Sequence, residues 1–335
     1  MNLNGKKVFL TGGAGFIGSH LTMSLVQAGA RVTVYDNFSS GLRENLAPVA
    51  KEIQVIEGDI LDYEKLKTAM TGPHVVSHQA AQLEITHCVD DPIDDLRSNT
   101  IGTLHVFQAA VANGVEKIMN ASSACVYGQP LYTPSDETKH PTNPNWAYGA
   151  SKLAAEKYGQ IFCELYKLPI VSFRYAIIYG EREWYGRVLT IFLKRILDGK
   201  NPVVFGEGKQ VRDFTYVGDL VRLHNQALVD ERANGHVFNI STGTATSVRQ
   251  LAEKMVAKFG DGKLRVEFEQ VKPGERSEKV DGRMRLPSEL SAMVLANHKA
   301  KELLGWEPQV MLDEGLEREY RWLAANAGRW QRMSY

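Results

Sequence analysis

Short apolar runs alternate with amphipathic stretches along the first half of the chain. Residues 6–10 are apolar over one strand's length; glycines follow, then a helical pattern to about Ala28. Residues 31–35 are β-rich, 53–56 make a third short strand and 74–78 a fourth. A helical pattern over 92–112 leads into a strand at 117–121, a second over 146–165 into a strand at 169–174. Strands that alternate with helices predict βαβ units and a parallel sheet.

Residues 129–145 break this rhythm. They hold Pro130, Pro134, Pro141 and Pro144, a third of the 12 prolines, and read as a long surface loop. Beyond Arg174 the pattern becomes irregular: short strands, a helix near Val188–Leu197, and turns carrying Gly and Arg. The fold expected is α/β, a doubly wound parallel sheet with a smaller C-terminal lobe. Residues 1–174, with a return at about 210–242, would form the sheet domain; 175–209 and 243–335 would form the lobe. Ligands of such folds bind at the carboxyl ends of the strands, here between the two parts.

Composition narrows the function. The 335 residues carry 39 Lys plus Arg against 39 Asp plus Glu, a formal net charge of zero. No basic surface for nucleic acid or an anionic membrane is indicated. Cys88, Cys125 and Cys163 are too few, and wrongly spaced, for a disulfide framework or a metal site, so no metal is expected. A reducing compartment fits. The polar start and the lack of any apolar stretch near 18 residues predict a soluble, cytoplasmic protein.

The first chemistry lies in Thr11-Gly12-Gly13-Ala14-Gly15-Phe16-Ile17-Gly18, between the first strand and the first helix. Gly12 permits the turn, Gly15 lets the backbone approach a pyrophosphate at the helix N-terminus, and Gly18 allows close packing. This is the dinucleotide turn of a Rossmann-type sheet. Asp36 ends the second strand, followed by Asn37. A carboxylate there accepts ribose hydroxyls and repels a 2′-phosphate, so NAD is expected over NADP.

The second lies in Tyr148-Gly149-Ala150-Ser151-Lys152. Positions i and i+4 share a helix face, and an ammonium beside a phenol favours the phenolate that a general base needs. Tyr63 and Lys67 repeat the spacing without any surrounding motif and read as a solvated face. Ser122-Ser123-Ala124-Cys125-Val126-Tyr127-Gly128, after the fifth strand, supplies that motif for Tyr148, including a hydroxyl placed to donate to a substrate oxygen.

Together these parts resemble the extended short-chain dehydrogenase/reductase family, specifically the sugar-nucleotide epimerases around UDP-glucose 4-epimerase. The resemblance covers nearly the whole chain. It implies Ser123 as the catalytic hydroxyl, Tyr148 as the base, and Lys152 as its partner and a ribose ligand. Phe16, Ile17, Asp59, Ile60, Ala80, Ala81, Gln82, Asn99, Ser122 and Tyr175 would complete the NAD site. Gly206-Glu207-Gly208 with Arg212-Asp213 and Val217-Gly218-Asp219-Leu220 is similar to the family's run in which the Arg holds the nucleotide pyrophosphate. Arg285 and Glu289 stand about where a second phosphate Arg and a ribose carboxylate belong. The partners implied are a nucleotide sugar, UDP favoured, and a second copy packed on the helices over 92–112 and 146–165. The implied reaction oxidises one carbinol to a ketosugar and re-reduces it, at C4 of a UDP-hexose or UDP-hexuronate.

Departures from the pattern bear on specificity. Ile177 replaces an Asn that usually touches the phosphates, and Glu181 replaces a Pro. Related 4,6-dehydratases carry Asp-Glu where this chain has Ala124-Cys125, and related decarboxylases need Glu at 125. Ser-Ala-Cys is similar to GDP-mannose 3,5-epimerase, whose cysteine moves a proton beside the ketone. Cys125 therefore leaves a 3,5-epimerase or dehydratase reading open. Trp184-Tyr185-Gly186-Arg187 resembles the W-G-R of UDP-glucuronate 4-epimerases, whose Arg lies in the sugar site. Two other classes remain: a non-catalytic NAD-binding module, against which Tyr148 and Lys152 both stand, and a ketosugar reductase using NADPH, against which Asp36 stands.

Overall fold

The structure, a computed structural model, describes residues 3–183 and 186–330. The first half runs β1 (Lys7–Thr11), α1 (Phe16–Gln27), β2 (Arg31–Asp36), β3 (Gln54–Glu57), α2 (Tyr63–Ala69), β4 (Val75–His78), α3 (Ile85–Asp90), α4 (Pro92–Asp95), α5 (Gly102–Ala112), β5 (Lys117–Ser123), α6 (Ala147–Tyr166) and β6 (Ile170–Tyr175). The second runs β7 (Ile177–Tyr179), α7 (Val188–Leu197), β8 (Val203–Phe205), β9 (Val211–Arg212), β10 (Phe214–Tyr216), α8 (Val217–Val229), β11 (Val237–Ile240), β12 (Thr246–Ser247), α9 (Val248–Phe259), β13 (Glu267–Glu269), β14 (Ala292–Met293), α10 (His298–Leu304) and α11 (Leu312–Ala325).

A seven-stranded sheet has the order β11-β6-β5-β4-β1-β2-β3, with every pairing parallel. This is the parallel α/β fold the alternation predicted. Parallel sheets are covered on both faces, so their strands carry apolar side chains on both. In β1, Val8 and Leu10 enter one core cluster and Phe9 the other. Val171 and Phe173 of β6 likewise enter the first cluster and Ile170 the second. Each such side chain, fully buried, stabilises the fold by roughly 1.5–3 kcal/mol.

The chain leaves β1 in one direction through β2 and β3, then returns to lay β4 on the other side of β1. That reversal opens a crevice at the carboxyl ends of β1 and β4, where ligands of open α/β sheets bind. The helix expected over 92–112 is interrupted. Between α4 and α5, Leu96–Ile101 winds as a wider π-turn, a feature frequent at functional sites.

The later elements pack over the crevice. The loop over 129–145 is tied down: Ser135 N–H donates to Val294 O at 2.9 Å, and Asn239 Nδ2 to Ser135 O at 3.0 Å. Asp219 accepts from the amides of Gln309 (2.9 Å) and Val310 (3.0 Å), and its own carbonyl accepts from Trp306 Nε1 at 3.1 Å. This clamps α8 to the segment leading into α11. No helix among the described residues is long and apolar enough to cross a membrane.

Candidate active site

The glycine turn has the shape a dinucleotide needs. Gly12 has φ +69°, and a Cβ there would lie 2.6 Å from Ala80 N. The loop after β1 therefore touches the loop after β4 across the crevice. A Cβ on Gly18 would lie 2.0 Å from Gly12 O, so Gly18 packs on the turn itself. Gly15 caps α1 without a side-chain bond, leaving the helix N-terminus to a ligand. These open backbone surfaces fit a pyrophosphate.

Asp36 is buried, and its two oxygens accept from Ala14 N–H and Phe38 N–H, each at 2.8 Å. The carboxylate thus shapes the turn as well as standing at the ribose position. Burial pushes its acid up. Asn37 Nδ2 donates to Asp59 Oδ2 at 2.9 Å, closing the pocket wall that leads to Ile60.

Asn99, in the π-turn, donates to Gln82 O at 2.7 Å and accepts from Gln82 N–H at 3.0 Å. It fixes the Ala80-Ala81-Gln82 turn from beneath. A second support was not anticipated from the sequence. Thr103 donates to Asn99 O at 2.7 Å, so its hydroxyl accepts from His78 Nε2–H at 2.9 Å. His78 Nδ1 then accepts from the Thr11 hydroxyl at 2.7 Å. The chain joins β1, β4 and α5 under the crevice. Burial holds His78 down to about 3, so the imidazole is neutral.

Ser123, Tyr148 and Lys152 converge at the carboxyl end of β5. A Cβ on Gly149 would lie 2.5 Å from Cys125 O, so the turn after β5 rests directly on α6. Ser123 Oγ accepts from Cys125 N–H at 3.1 Å, and its side chain also bonds the Cys125 thiol. Lys152 is buried, donates to Ala121 O at 3.0 Å, and has Nζ 5.8 Å from the Tyr148 ring centroid. Burial holds this ammonium down to about 8, against the pull of Asp95. Asp95 itself accepts from Asn99 Nδ2 at 2.7 Å and Ser151 Oγ at 2.5 Å, tying α4 to α6.

Two expectations need correction. The Tyr148 phenol is pushed up, not down: burial dominates, and Arg187 is the cation that opposes it. Ser122 does not face the crevice. Alternation along β5 turns its hydroxyl to Glu156 Oε1 (2.5 Å), inside a buried pair in which Arg174 Nη2 lies 2.7 Å from Glu156 Oε2. Tyr175, the next predicted contact, donates to Gln79 Oε1 at 3.0 Å beside the β4 loop.

Toward the lobe, Arg285 Nε donates to Glu289 Oε2 at 2.9 Å, and Arg212 Nη2 lies 3.8 Å from Glu289 Oε1. These three predicted groups come together because β14 pairs with β9. Burial pushes the Cys125 thiol up, outweighing the Ser123 hydroxyl, Arg212 and Arg187, which all lower it. Arg187 caps α7 and donates from Nε to Glu183 Oε1 at 2.8 Å. Trp184 and Tyr185 lie outside the described residues. Ile177 packs beside Tyr148 in the cluster holding Ala124–Val126. Glu181 accepts from the Tyr216 hydroxyl at 2.9 and 2.7 Å.

Residues 8–241 match the NAD dependent epimerase/dehydratase family, and the chain belongs to that family. It is 34% identical to UDP-glucose 4-epimerase of Mycolicibacterium smegmatis over 324 residues, 93% of this chain and 96% of that one. UDP-glucose 4-epimerase of Thermotoga maritima, solved with UDP-glucose, superposes with a TM-score of 0.85 at 34% identity, over 96% of this chain and 99% of that one. The Thermus thermophilus enzyme, solved with NAD, gives 0.84 at 32% identity, again over 96% and 99%. The family and the NAD cofactor expected from the motifs are borne out, and the protein is an enzyme of the NAD-dependent epimerase class.

Proposed function

We propose that the protein interconverts C4 epimers of a UDP-hexose or UDP-hexuronate. The observation that carries this reading is the convergence of Ser123, Tyr148 and Lys152 at the carboxyl end of β5, with no carboxylate at 124 or 125. NAD, when bound there, supplies a reversible two-electron acceptor for the sugar carbon. Tyr148 takes the C4 hydroxyl proton and returns it after the ketosugar has turned over. Ser123 donates to the same oxygen. Lys152 holds Ala121 O and faces the ribose side of the crevice. Gly12, Gly15, Phe16, Ile17, Gly18, Asp36 and Asp59 line the dinucleotide's path, and Asn99 keeps its nicotinamide-side wall in register. Arg212, Arg285 and Glu289 would bind the UDP arm, and Arg187 the sugar.

In this reading residues 1–174 and 210–242 carry the cofactor, and 175–209 with 243–335 close over the sugar nucleotide. A homodimer is supported by exposed Tyr158, Ile161 and Leu165 on α6 and by Ile93, Leu96 and Ile101 before α5. Such a patch favours burial against a second copy. Three free thiols fit a cytoplasmic setting.

The direct test is incubation with a panel of UDP-, GDP- and dTDP-sugars followed by chromatography. Conversion of a UDP-sugar to its C4 epimer is expected. A product lacking water or CO2, or no product from any UDP-sugar, would overturn the reading.

A further inference from the structure

Asp95 ends α4, directly before the π-turn, and none of it is exposed. A carboxyl group is costly in such a place unless its oxygens find donors. Here Oδ1 accepts from Asn99 Nδ2 at 2.7 Å and Oδ2 from Ser151 Oγ at 2.5 Å. Asn99 also grips the backbone of Gln82. An unbroken line of hydrogen bonds therefore runs from the cofactor loop through Asn99 and Asp95 to Ser151, the residue before Lys152 on α6. The donors on this line are all used: the two amide hydrogens of Asn99 go to Gln82 O and Asp95 Oδ1, and the Ser151 proton goes to Asp95 Oδ2. A parallel link comes from within the π-turn, where Thr100 Oγ1 donates to Ser151 O at 3.4 Å.

The charges follow the same line. Lys152 is 2% exposed and donates to Ala121 O. A carbonyl alone does not balance a buried ammonium, whereas a nearby carboxylate favours it. Burial is what lowers Lys152; Asp95 of α4 and then Cys88 of α3 oppose it. The Cys88 thiol is pushed up by burial and by Asp95, to which it also bonds, so it stays neutral and Asp95 is the charge. His78 of β4 faces Lys152 as well and is neutral in its buried setting. On α6, Tyr148 is pushed up chiefly by burial; Cys125, Cys88 and Asp95 add to this, and Arg187 opposes it.

We propose that Asp95 is the positioning residue of the catalytic pair: it fastens the helix bearing Tyr148 and Lys152 to the cofactor loop, and it is the negative charge against which Lys152 stays an ammonium. The proposal rests on the reading of Tyr148 as the base and Lys152 as its partner. The loop on the nicotinamide side and the lysine on the ribose side then move as one unit, so that a bound dinucleotide and the base keep their register.

Two variants separate charge from fastening. Asp95→Asn keeps the line, since its Oδ1 can accept from Asn99 and its Nδ2 can donate to Ser151 Oγ, and removes the charge. NMR of the protein with lysine isotopically labelled at Cε follows the titration of Lys152, whose signal is the one missing from Lys152→Met, with no sugar nucleotide present. The midpoint should fall by about one pH unit or more in Asp95→Asn, as withdrawal of a neighbouring opposite charge requires. With UDP-glucose, both limbs of the pH–rate profile should move to lower pH, because Asp95 raises Tyr148 and Lys152 alike; damage to the fold alone would lower the plateau and leave the limbs in place. An unmoved Lys152 midpoint overturns the counter-charge. Ser151→Ala removes the link and keeps the charge. Bound NAD should then be lost on dialysis about tenfold faster, the range of one hydrogen bond to a charged group, and Ser151→Thr should restore the slower rate. Loss of NAD from Ser151→Ala at the rate of the unmodified protein overturns the fastening, whether or not Asp95→Asn folds. If UDP-glucose is not turned over, that failure falls on the substrate reading, and the Lys152 midpoint and the loss of NAD still decide the role of Asp95.

Discussion

Asn99 grips the backbone of Gln82 from both sides, donating to its carbonyl at 2.7 Å and accepting from its N–H at 3.0 Å. A buried carboxamide used on both ends holds the nicotinamide-side loop, and its Nδ2 also donates to Asp95 Oδ1 at 2.7 Å. Replacement by Ala leaves two backbone groups unsatisfied. Asn99→Ala should cost about 1–3 kcal/mol of stability in chemical denaturation and release NAD during purification. Retention of full NAD occupancy would show that the loop is held by other means.

The glycines give the cofactor prediction. Gly12→Ala meets a positive φ and the Ala80 backbone at once, and Gly18→Ala meets the Gly12 carbonyl. Neither neighbour is the flexible end of a side chain. Both variants should purify without cofactor, whereas extracts of the unmodified protein should contain NAD(H). Recovery of mainly NADP(H) would contradict the reading of Asp36.

The parallel sheet was legible because its strands are buried on both faces and so appear as short apolar runs, and the glycine turn because its spacing is local. The catalytic pair was legible through the Ser122-Ser123 run beside it. Side-chain direction was not. Ser122 and Ser123 look alike in sequence, but the pleat sends one to Glu156 and the other to the crevice. The phenol's pKa also escaped, because a spacing rule shows the neighbouring ammonium and not the burial that outweighs it. His78 and Asp95 act through partners distant in sequence.

Buried histidines set the acid limit of stability. His78 is held down to about 3 and His224 to about 4, both by burial, against 6.5 for an exposed imidazole. Both are neutral in the fold, and His224 Nε2 lies 2.9 Å from Ser77 Oγ. Unfolding restores the ordinary value, so below 6.5 the unfolded chain binds more protons. Stability should therefore fall as pH drops from 6.5 toward 4, with a slope of about 1–3 kcal/mol per pH unit near about pH 5. Urea titrations across that range check it. A flat profile would mean that the imidazoles remain neutral on unfolding or are already charged in the fold.

Tyr148 and Tyr63 offer a matched comparison, each four residues before a lysine whose Nζ lies 5.8 Å from the ring centroid. Tyr63 packs against His105 on the α2 surface, away from the crevice. Tyr148→Phe should lower turnover on the order of 10²-fold or more, as loss of a general base does, and Lys152→Met by a similar factor. Tyr63→Phe should leave turnover unchanged. Equal losses at the two tyrosines would assign the base wrongly.

The reaction type turns on Cys125. Proton transfer at C3 or C5 of a ketosugar needs an acid or base on each face of the ring and a thiolate close at hand. Burial pushes the Cys125 thiol up, against the Ser123 hydroxyl, Arg212 and Arg187. Its Ser123 neighbour accepts from the Cys125 backbone N–H at 3.1 Å, and the Ser123 hydroxyl also opposes the effect of burial on the sulfur. Epimerisation at C4 needs only the dinucleotide and Tyr148, and the hydrogen moved between carbon and cofactor never meets solvent. Turnover in D2O should therefore leave the carbon-bound hydrogens of the sugar unexchanged, as read by mass spectrometry of recovered substrate and product. Cys125→Ala should retain most of the activity, since the side chain serves packing alone. Deuterium at C3 or C5 that Cys125→Ala abolishes would instead make the thiol an acid–base group and the protein an enzyme of the neighbouring carbons.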